Sequence, residues 1–383
     1  VCTSCSWLIV GLVFLTPSLG ADFESLLPTT KQPIVYLIDY TDEYFTNPEY
    51  VEQFAGQPPD LLHVGKATPI THLWGPIRLL RGENQYTGGP GHTLDWDNIA
   101  LITPDALAKR FGTIRQMLRR YHEIGIPEIV PYISYHTLAG DHHKRLGFWS
   151  FYDRWDAYAR WVGTRPTCDP FDWLVVDARG QFVGGSSGGY SPDYYAPLHR
   201  YRACINHPDW SRWHQQLIRM VAEVGYDGCF VDNCHPDSCF CQLCKAAFRV
   251  FLAENRDLHW VRRLTAGLQV DQLELDTANV PAEIVRRARL IRTRDHLGML
   301  RETGRRVNPR FTVFPNGNST AECQLTGSKC DRLMFESTYS PGIMATRATA
   351  EVEETVIEVT DGSAPPAPVV HRYDLSNPNK WIE

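Results

Sequence analysis

The sequence predicts an α/β protein, a (β/α)8 barrel of the TIM type with long loops after its second and third strands. Three observations carry that expectation. Short apolar, β-branched runs alternate with amphipathic helical stretches from residue 33 to residue 373, the pattern of parallel strands joined by crossover helices. The chain has 383 residues, a length that one barrel with extended loops can fill. The first strand runs into Asp39-Tyr40-Thr41-Asp42-Glu43, without the glycines that a doubly wound sheet places there to meet a phosphate.

The elements follow in order. Pro33–Asp39 is a continuous apolar run closed by a carboxylate, as expected of a strand buried on both faces. Asp60–Val64 is a second. Thr103-Pro104 opens a helix with a capping hydroxyl and a proline in its first turn, and Leu107, Phe111, Ile114, Leu118 and Tyr121 recur at helical spacing up to Gly125. Glu128–Tyr135 is the third strand. An irregular excursion follows, with a helix at Phe151–Val162, a hairpin at Asp172–Val183 and a Gly- and Tyr-rich loop at Ser186–His199. Helix Pro208–Val224 then leads into strand Gly228–Asp232. A helix marked by Ile284, Ala288 and Ile291 leads to Phe311–Pro315, and strand Arg332–Glu336 follows. A helix at Thr349–Val359 and a strand at Pro368–Tyr373 complete seven strands, so the last β/α unit is expected to be missing from a single barrel over residues 21–383.

Composition narrows the function. Hydrophobic residues at 43% and charged ones at 21% exclude a disordered or fibrous chain. A net charge of −6 leaves no basic footprint for nucleic acid. At the amino end, Trp7–Leu15 is an apolar run too short to span a bilayer, followed by the small residues Ser18 and Gly20. Residues 1–20 therefore read as a secretory signal cut after Gly20, although no Lys or Arg precedes Lys31. The expected protein is secreted or periplasmic, with no membrane segment after cleavage. The sequence leaves its oligomeric state open.

In a barrel the chemistry lies at the carboxyl ends of the strands. Those ends here carry Asp39, His63, Tyr135 with His136, Asp232 with Asn233, Asn316, and Glu336. Asp232 and Glu336 are two carboxylates on later strands, the pair that glycoside hydrolysis needs: one protonates the leaving oxygen, the other attacks the sugar or activates water. Asp39, His63, Tyr135, His136, Asn233 and Asn316 are then candidates for contacts with substrate hydroxyls.

The stretch from Asn206-His207-Pro208-Asp209-Trp210 through Asp227-Gly228-Cys229-Phe230-Val231-Asp232-Asn233 to Cys239-Phe240-Cys241-Gln242-Leu243-Cys244-Lys245-Ala246-Ala247-Phe248 resembles barrel glycoside hydrolases of the family-42 β-galactosidase type. It is also similar to the bacterial glycosyl-hydrolase-like proteins near them. The resemblance covers residues 206–248 and implies a retaining glycosidase acting on an oligo- or polysaccharide. The family's acid/base is a Glu preceded by Asn, whereas this chain has Asp232 followed by Asn233. Fucosidase-like and galactosidase-like barrels use an Asp nucleophile at a comparable strand end. The resemblance thus implies Asp232 as nucleophile and Glu336 as acid/base.

Four of the 11 cysteines, Cys234, Cys239, Cys241 and Cys244, fall close together. The C-x-C-x-x-C spacing suits tetrahedral zinc better than disulfides, which rarely join residues so near in sequence. Cys239, Cys241 and Cys244 are the expected ligands, with Cys204 as the fourth and Cys234 or Cys168 as alternatives. The resembling family holds a structural zinc in this way. Disulfides remain the competing reading for an exported chain, and Cys323–Cys330 is the better disulfide candidate. No organic cofactor is implied. Two rival functions stand beside the glycosidase. One is a carbohydrate-binding barrel without catalysis. The other is a metal-dependent barrel hydrolase, which would carry His-x-His on a first strand that has no histidine.

Overall fold

The computed structural model describes residues 48–64, 103–109, 111–138, 141–145, 148–183, 201–232, 234, 236, 238–315, 326 and 329–332, and the backbone of 36–38, 110, 139–140, 146–147, 199–200, 316–317, 334–337, 372–373 and 381–382. The expected signal, the loop after the second strand, Asp39, Asn233, Cys323 and the helix at 349–359 lie outside the described residues.

In chain order the first half holds β1 (Tyr36–Ile38), α1 (Pro48–Glu52), β2 (Leu61–His63), α2 (Pro104–Glu123), β3 (Ile129–Val130), β4 (Tyr132–Ser134), β5 (Thr137–Asp141), β6 (Leu146–Gly147), α3 (Phe148–Tyr152), α4 (Ala159–Val162) and β7 (His199–Arg202). The second half holds α5 (Pro208–Val224), β8 (Gly228–Asp232), α6 (Gln242–Asn255), α7 (His259–Leu264), α8 (Ala282–Arg305), β9 (Thr312–Gly317), β10 (Met334–Ser337), β11 (Arg372–Tyr373) and β12 (Trp381–Ile382).

The central sheet is parallel. β1 pairs with β2 and β2 with β3, setting Ile38 opposite His63 and His63 opposite Val130. Across Pro131 the same segment continues as β4, which pairs with β8; β8 pairs with β9 and β9 with β10. The Glu128 and Val130 carbonyls accept from β2 and its end, while those of Ile129 and Pro131 accept from Asp227 and β8. The 129–134 segment thus joins the two halves, and each successive strand is added beside the one before it. A doubly wound sheet would reverse that order once. The described strands form an open run and do not close a cylinder.

Two expectations need correction. The excursion after the third strand is not only loop: β5 pairs antiparallel with both β6 and β7, and the expected helix 151–162 is broken into α3, a 3-10 turn at Trp155–Tyr158, and α4. Aromatic packing sets that break, because Phe148, Phe151, Trp155, Trp173 and Trp213 meet edge to face or tilted within 6 Å. The strand expected at 368–373 is not a parallel barrel strand either. β11 pairs antiparallel with β12, which pairs antiparallel with β10. Too few residues separate β11 from β12 for a parallel crossover, so the chain returns antiparallel.

Helices pack on one face of the sheet. Leu107, Phe111, Ile114, Leu118 and Tyr121 of α2 are buried, as are Trp210, Trp213, Leu217 and Val221 of α5. Both faces meet the sheet-side residues Leu62, Ile129, Ile133, Cys229, Val231 and Val313. The alternate residues Leu61, Val130, Tyr132, Phe230 and Phe314 make a separate apolar cluster, which is the opposite face expected of a pleated strand. Gly228 lets β8 and β9 approach: a Cβ there would lie 2.1 Å from Thr312 Oγ1 and 2.5 Å from the Thr312 carbonyl. Thr312 donates in turn to Glu128 at 2.5 Å, and Arg332 pairs with the same carboxylate. The amino end of the sheet is therefore tied by polar side chains, and the carboxyl end is left for function.

Candidate active site and cysteine centre

Alternation decides which strand-end residues share a face. β4 and β8 set Tyr132 opposite Phe230 and Ser134 opposite Asp232, and partners in a parallel pair lie on the same side. Asp232 therefore belongs to the Tyr132–Phe230 face, half-buried at the carboxyl end of β8. The Tyr132 hydroxyl donates to Asp232 Oδ2. A neutral phenol gives its proton to an ionised carboxylate in a charge-assisted bond. Beneath lies an aromatic floor. His63 is fully buried, stacks 6.3 Å from Tyr132 at an interplanar angle of 4°, and sits 4.6 Å from Phe230. Phe230 and Phe314 are 5.3 Å apart.

The other expected residues separate. Asn316 is in β9, opposite Met334 of β10, and Glu336 is two residues further along β10. The backbone register thus places both at the same end of the sheet as Asp232. Tyr135 and His136 are set apart from this face. One residue past Ser134, Tyr135 is buried on the helix-facing side, 5.5 Å from His296 and 5.4 Å from His136. A shift of one position moves a strand residue to the other face. His136 is also buried, and His214 forms a 2.9 Å hydrogen bond with His296. Tyr132 was missed by sequence reasoning. Its signal was available, since it is the residue of its strand that aligns with the inner row.

Behind this face lies the cysteine cluster. Cys204, Cys239, Cys241 and Cys244 bring their sulfurs within 4.8 Å of one another, with Cys204 at 3.7 Å from Cys241 and 3.4 Å from Cys244. Cys204 lies just past the end of β7, fixed by its amide donating to the Trp173 carbonyl. Cys239 and Cys241 precede α6, Cys241 is its N-cap, and Cys244 lies in its first turn. Cys234 stands outside the cluster: its thiol donates to the Val231 carbonyl at 3.2 Å. Cys168 is exposed, and Cys330 is buried elsewhere.

The donor set fits a soft divalent ion. Four sulfurs around tetrahedral zinc at ~2.3 Å would lie ~3.8 Å apart, close to the separations of Cys204 from its neighbours. Without an ion the thiols hydrogen-bond to one another. The bonds to Cys239, then Cys241 and Cys244, hold the buried Cys204 thiol well above its ordinary value. Those from Cys204, then Cys239 and Cys244, pull Cys241 well below it.

No family model matches the chain, and no curated protein matches it in sequence. Among solved structures it is similar to a β-galactosidase from Rahnella sp. R3, at 14% identity over 81% of this chain and 40% of that one, with a TM-score of 0.45. It is similar to a β-galactosidase from Bacillus circulans sp. alkalophilus at 16% identity, over 82% of this chain and 42% of that one, with a TM-score of 0.46. An α-galactosidase from Thermus thermophilus matches at 11% identity over 80% and 42%, with a TM-score of 0.38. The chain spans about two-fifths of the length of these enzymes. At such identities and scores the site's chemistry has to rest on this chain's own residues.

Proposed function

We propose that the chain is a barrel glycoside hydrolase acting on an oligo- or polysaccharide, with Asp232 as nucleophile and Glu336 as acid/base of a retaining mechanism. The supporting observation is Asp232 at the carboxyl end of a parallel sheet, half-buried over an aromatic floor, with its Oδ2 held by the Tyr132 hydroxyl. A nucleophilic carboxylate must be ionised and aimed. The phenol stabilises the ionised form and fixes the plane of the carboxyl group. The apolar residues below it keep water from approaching from that side. Glu336 would protonate the leaving oxygen and then activate water, which requires carboxyl groups ~5–5.5 Å apart.

The four thiols serve in this reading as a closed structural zinc site. Four protein ligands leave no position for water, so the ion would brace the segment after β8 and take no part in the reaction. Residues 1–20 are read as an export signal, which amino-terminal sequencing of secreted protein tests directly.

The activity is tested with a panel of chromogenic glycosides, comparing the wild-type protein with Asp232→Asn. Hydrolysis of at least one glycoside by wild type, abolished in the variant, supports the assignment. A variant keeping more than a tenth of wild-type turnover moves the reaction away from Asp232. Sugar binding without turnover in wild type would instead identify a carbohydrate-binding barrel.

A further inference from the structure

We infer that Asn206 and Arg292 are positioning residues of the cysteine centre, forming an Arg292–Asn206–Cys244 relay that compensates its negative charge. The inference rests on the reading of the four thiols as a metal site and goes beyond it. Asn206 Nδ2 donates to Cys244 Sγ at 3.2 Å, while Arg292 donates to Asn206 Oδ1 through Nε at 3.0 Å and Nη2 at 2.9 Å. The orientation of the amide follows from chemistry. A guanidinium can only donate, so the carbonyl oxygen must face Arg292 and the N–H must face the sulfur.

Electrostatics gives the arrangement a purpose. Four thiolates around a divalent ion leave a doubly negative centre, and Cys204, Cys239 and Cys244 are buried. Such a charge needs N–H donors and nearby cations. The relay brings an amide N–H to the sulfur and a permanent cation one bond behind it. Asn206, Arg289 and Arg292 also line, with Cys204, Cys239 and Cys244, a cavity of about 30 Å³. Two guanidinium-bearing residues of α8 therefore border the cluster from one side. Outer partners of this kind orient a ligand and tune its basicity.

Their removal commonly costs about 10–100-fold in metal affinity. The test titrates wild type, Asn206→Ala, Asn206→Asp and Arg292→Met with Co²⁺, reading the thiolate charge-transfer bands, and then measures Zn²⁺ affinity by competition with a chromophoric chelator. Wild type should bind about one ion with a tetrahedral Co²⁺ spectrum. Asn206→Ala and Arg292→Met should weaken binding about 10–100-fold. Asn206→Asp should weaken it further, by setting a carboxylate against a thiolate. Alkylation by iodoacetamide, mapped by mass spectrometry, should reach Cys244 sooner in Asn206→Ala, which loses the N–H bond to that sulfur. Arg292 is exposed, so its variant reads the relay even if Asn206→Ala folds poorly. A wild type that binds no ion overturns both the metal centre and the relay. A wild type that binds, with variants of equal affinity and equal Cys244 reactivity, overturns the relay alone.

Discussion

The carboxyl end of β8 and the cysteine cluster both present ionisable groups, and they differ in what the fold places around them. Asp232 is half-buried, holds the Tyr132 hydroxyl and lies above aromatic rings. Cys204, Cys239, Cys241 and Cys244 are packed against one another, three of them buried, with Asn206 against Cys244. Asp232 is only half-buried, so the first centre is in part open to solvent. The second is enclosed, so in the proposed reading its thiolate charge would be answered by an ion and by fixed donors. In the proposed reading, that difference is why the first centre is the one to react and the second the one to hold the chain together. Tyr135 lies between them: its amide donates to the Asp232 carbonyl at 2.8 Å, while its side chain borders the cysteine cavity.

Substitutions at the open centre should strike turnover and spare folding. Asp232→Asn keeps the shape but removes the charge that forms the glycosyl intermediate. Turnover should fall by at least roughly 10³-fold, with the melting temperature changed little. Glu336→Gln should lose about 10²–10⁴-fold on substrates with poor leaving groups and much less on activated aryl glycosides, because general-acid assistance matters only for the former. Tyr132→Phe removes one hydrogen bond to a charged group, worth ~1.5–3 kcal/mol. It should lower turnover by about 10–100-fold while substrate affinity survives. Steady-state kinetics on paired substrates checks all three. A large fall in melting temperature for Asp232→Asn would place the residue with the structural centre instead.

Much of this contrast is legible in the chain. Gly228–Asp232 is a strand with the bounds expected, because a short β-branched run closed by a carboxylate has few alternatives. Pro208–Val224 also has the expected bounds, set by Pro208 in the first turn and by Gly225 in a left-handed cap with φ of +114°. The cysteine spacing pointed to a cluster with Cys204, Cys234 or Cys168 as its fourth member, and the fold brings Cys204 to it, because that contact depends on where β7 returns. Two things were hidden for physical reasons. The face of Tyr135 depends on a register that one position reverses, so an expected substrate contact proved to be a helix-side residue. The antiparallel return of β11 and β12 depends on pairing partners, which an apolar run does not announce.

The enclosed centre should respond in the opposite sense. Cys241→Ser, or prolonged chelation, should lower the melting temperature by on the order of 10 °C. Turnover measured well below that temperature should change far less than in Asp232→Asn. Thermal scans with metal analysis of the same samples test this. A melting temperature unchanged on metal removal would mean that the cluster holds its segment without an ion.

The last effect concerns the histidines beside this centre and separates burial from metal as a source of stability. His214 of α5 and His296 of α8 share a 2.9 Å hydrogen bond in which one imidazole N–H donates to the other ring. Burial, reinforced by the Arg292 cation, brings His296 down to about 3, and burial together with His296 and His136 lowers His214 well below its ordinary value. Both rings are neutral in the folded protein and take up protons on unfolding below pH 6.5. Their contribution to stability is therefore complete above pH 6.5 and is lost as the pH falls toward 3, at about 1.4 kcal/mol per pH unit for each histidine. Urea unfolding between pH 7 and pH 4 should show this decline. His296→Gln keeps a hydrogen-bonding side chain but cannot be protonated, so its acid limb should be shallower by about one proton. Arg292→Met should leave the onset of the limb unchanged and end it at a slightly higher pH, since His296 then loses a neighbouring cation that disfavours its protonation. Equal slopes in wild type and His296→Gln would assign the acid sensitivity to other groups.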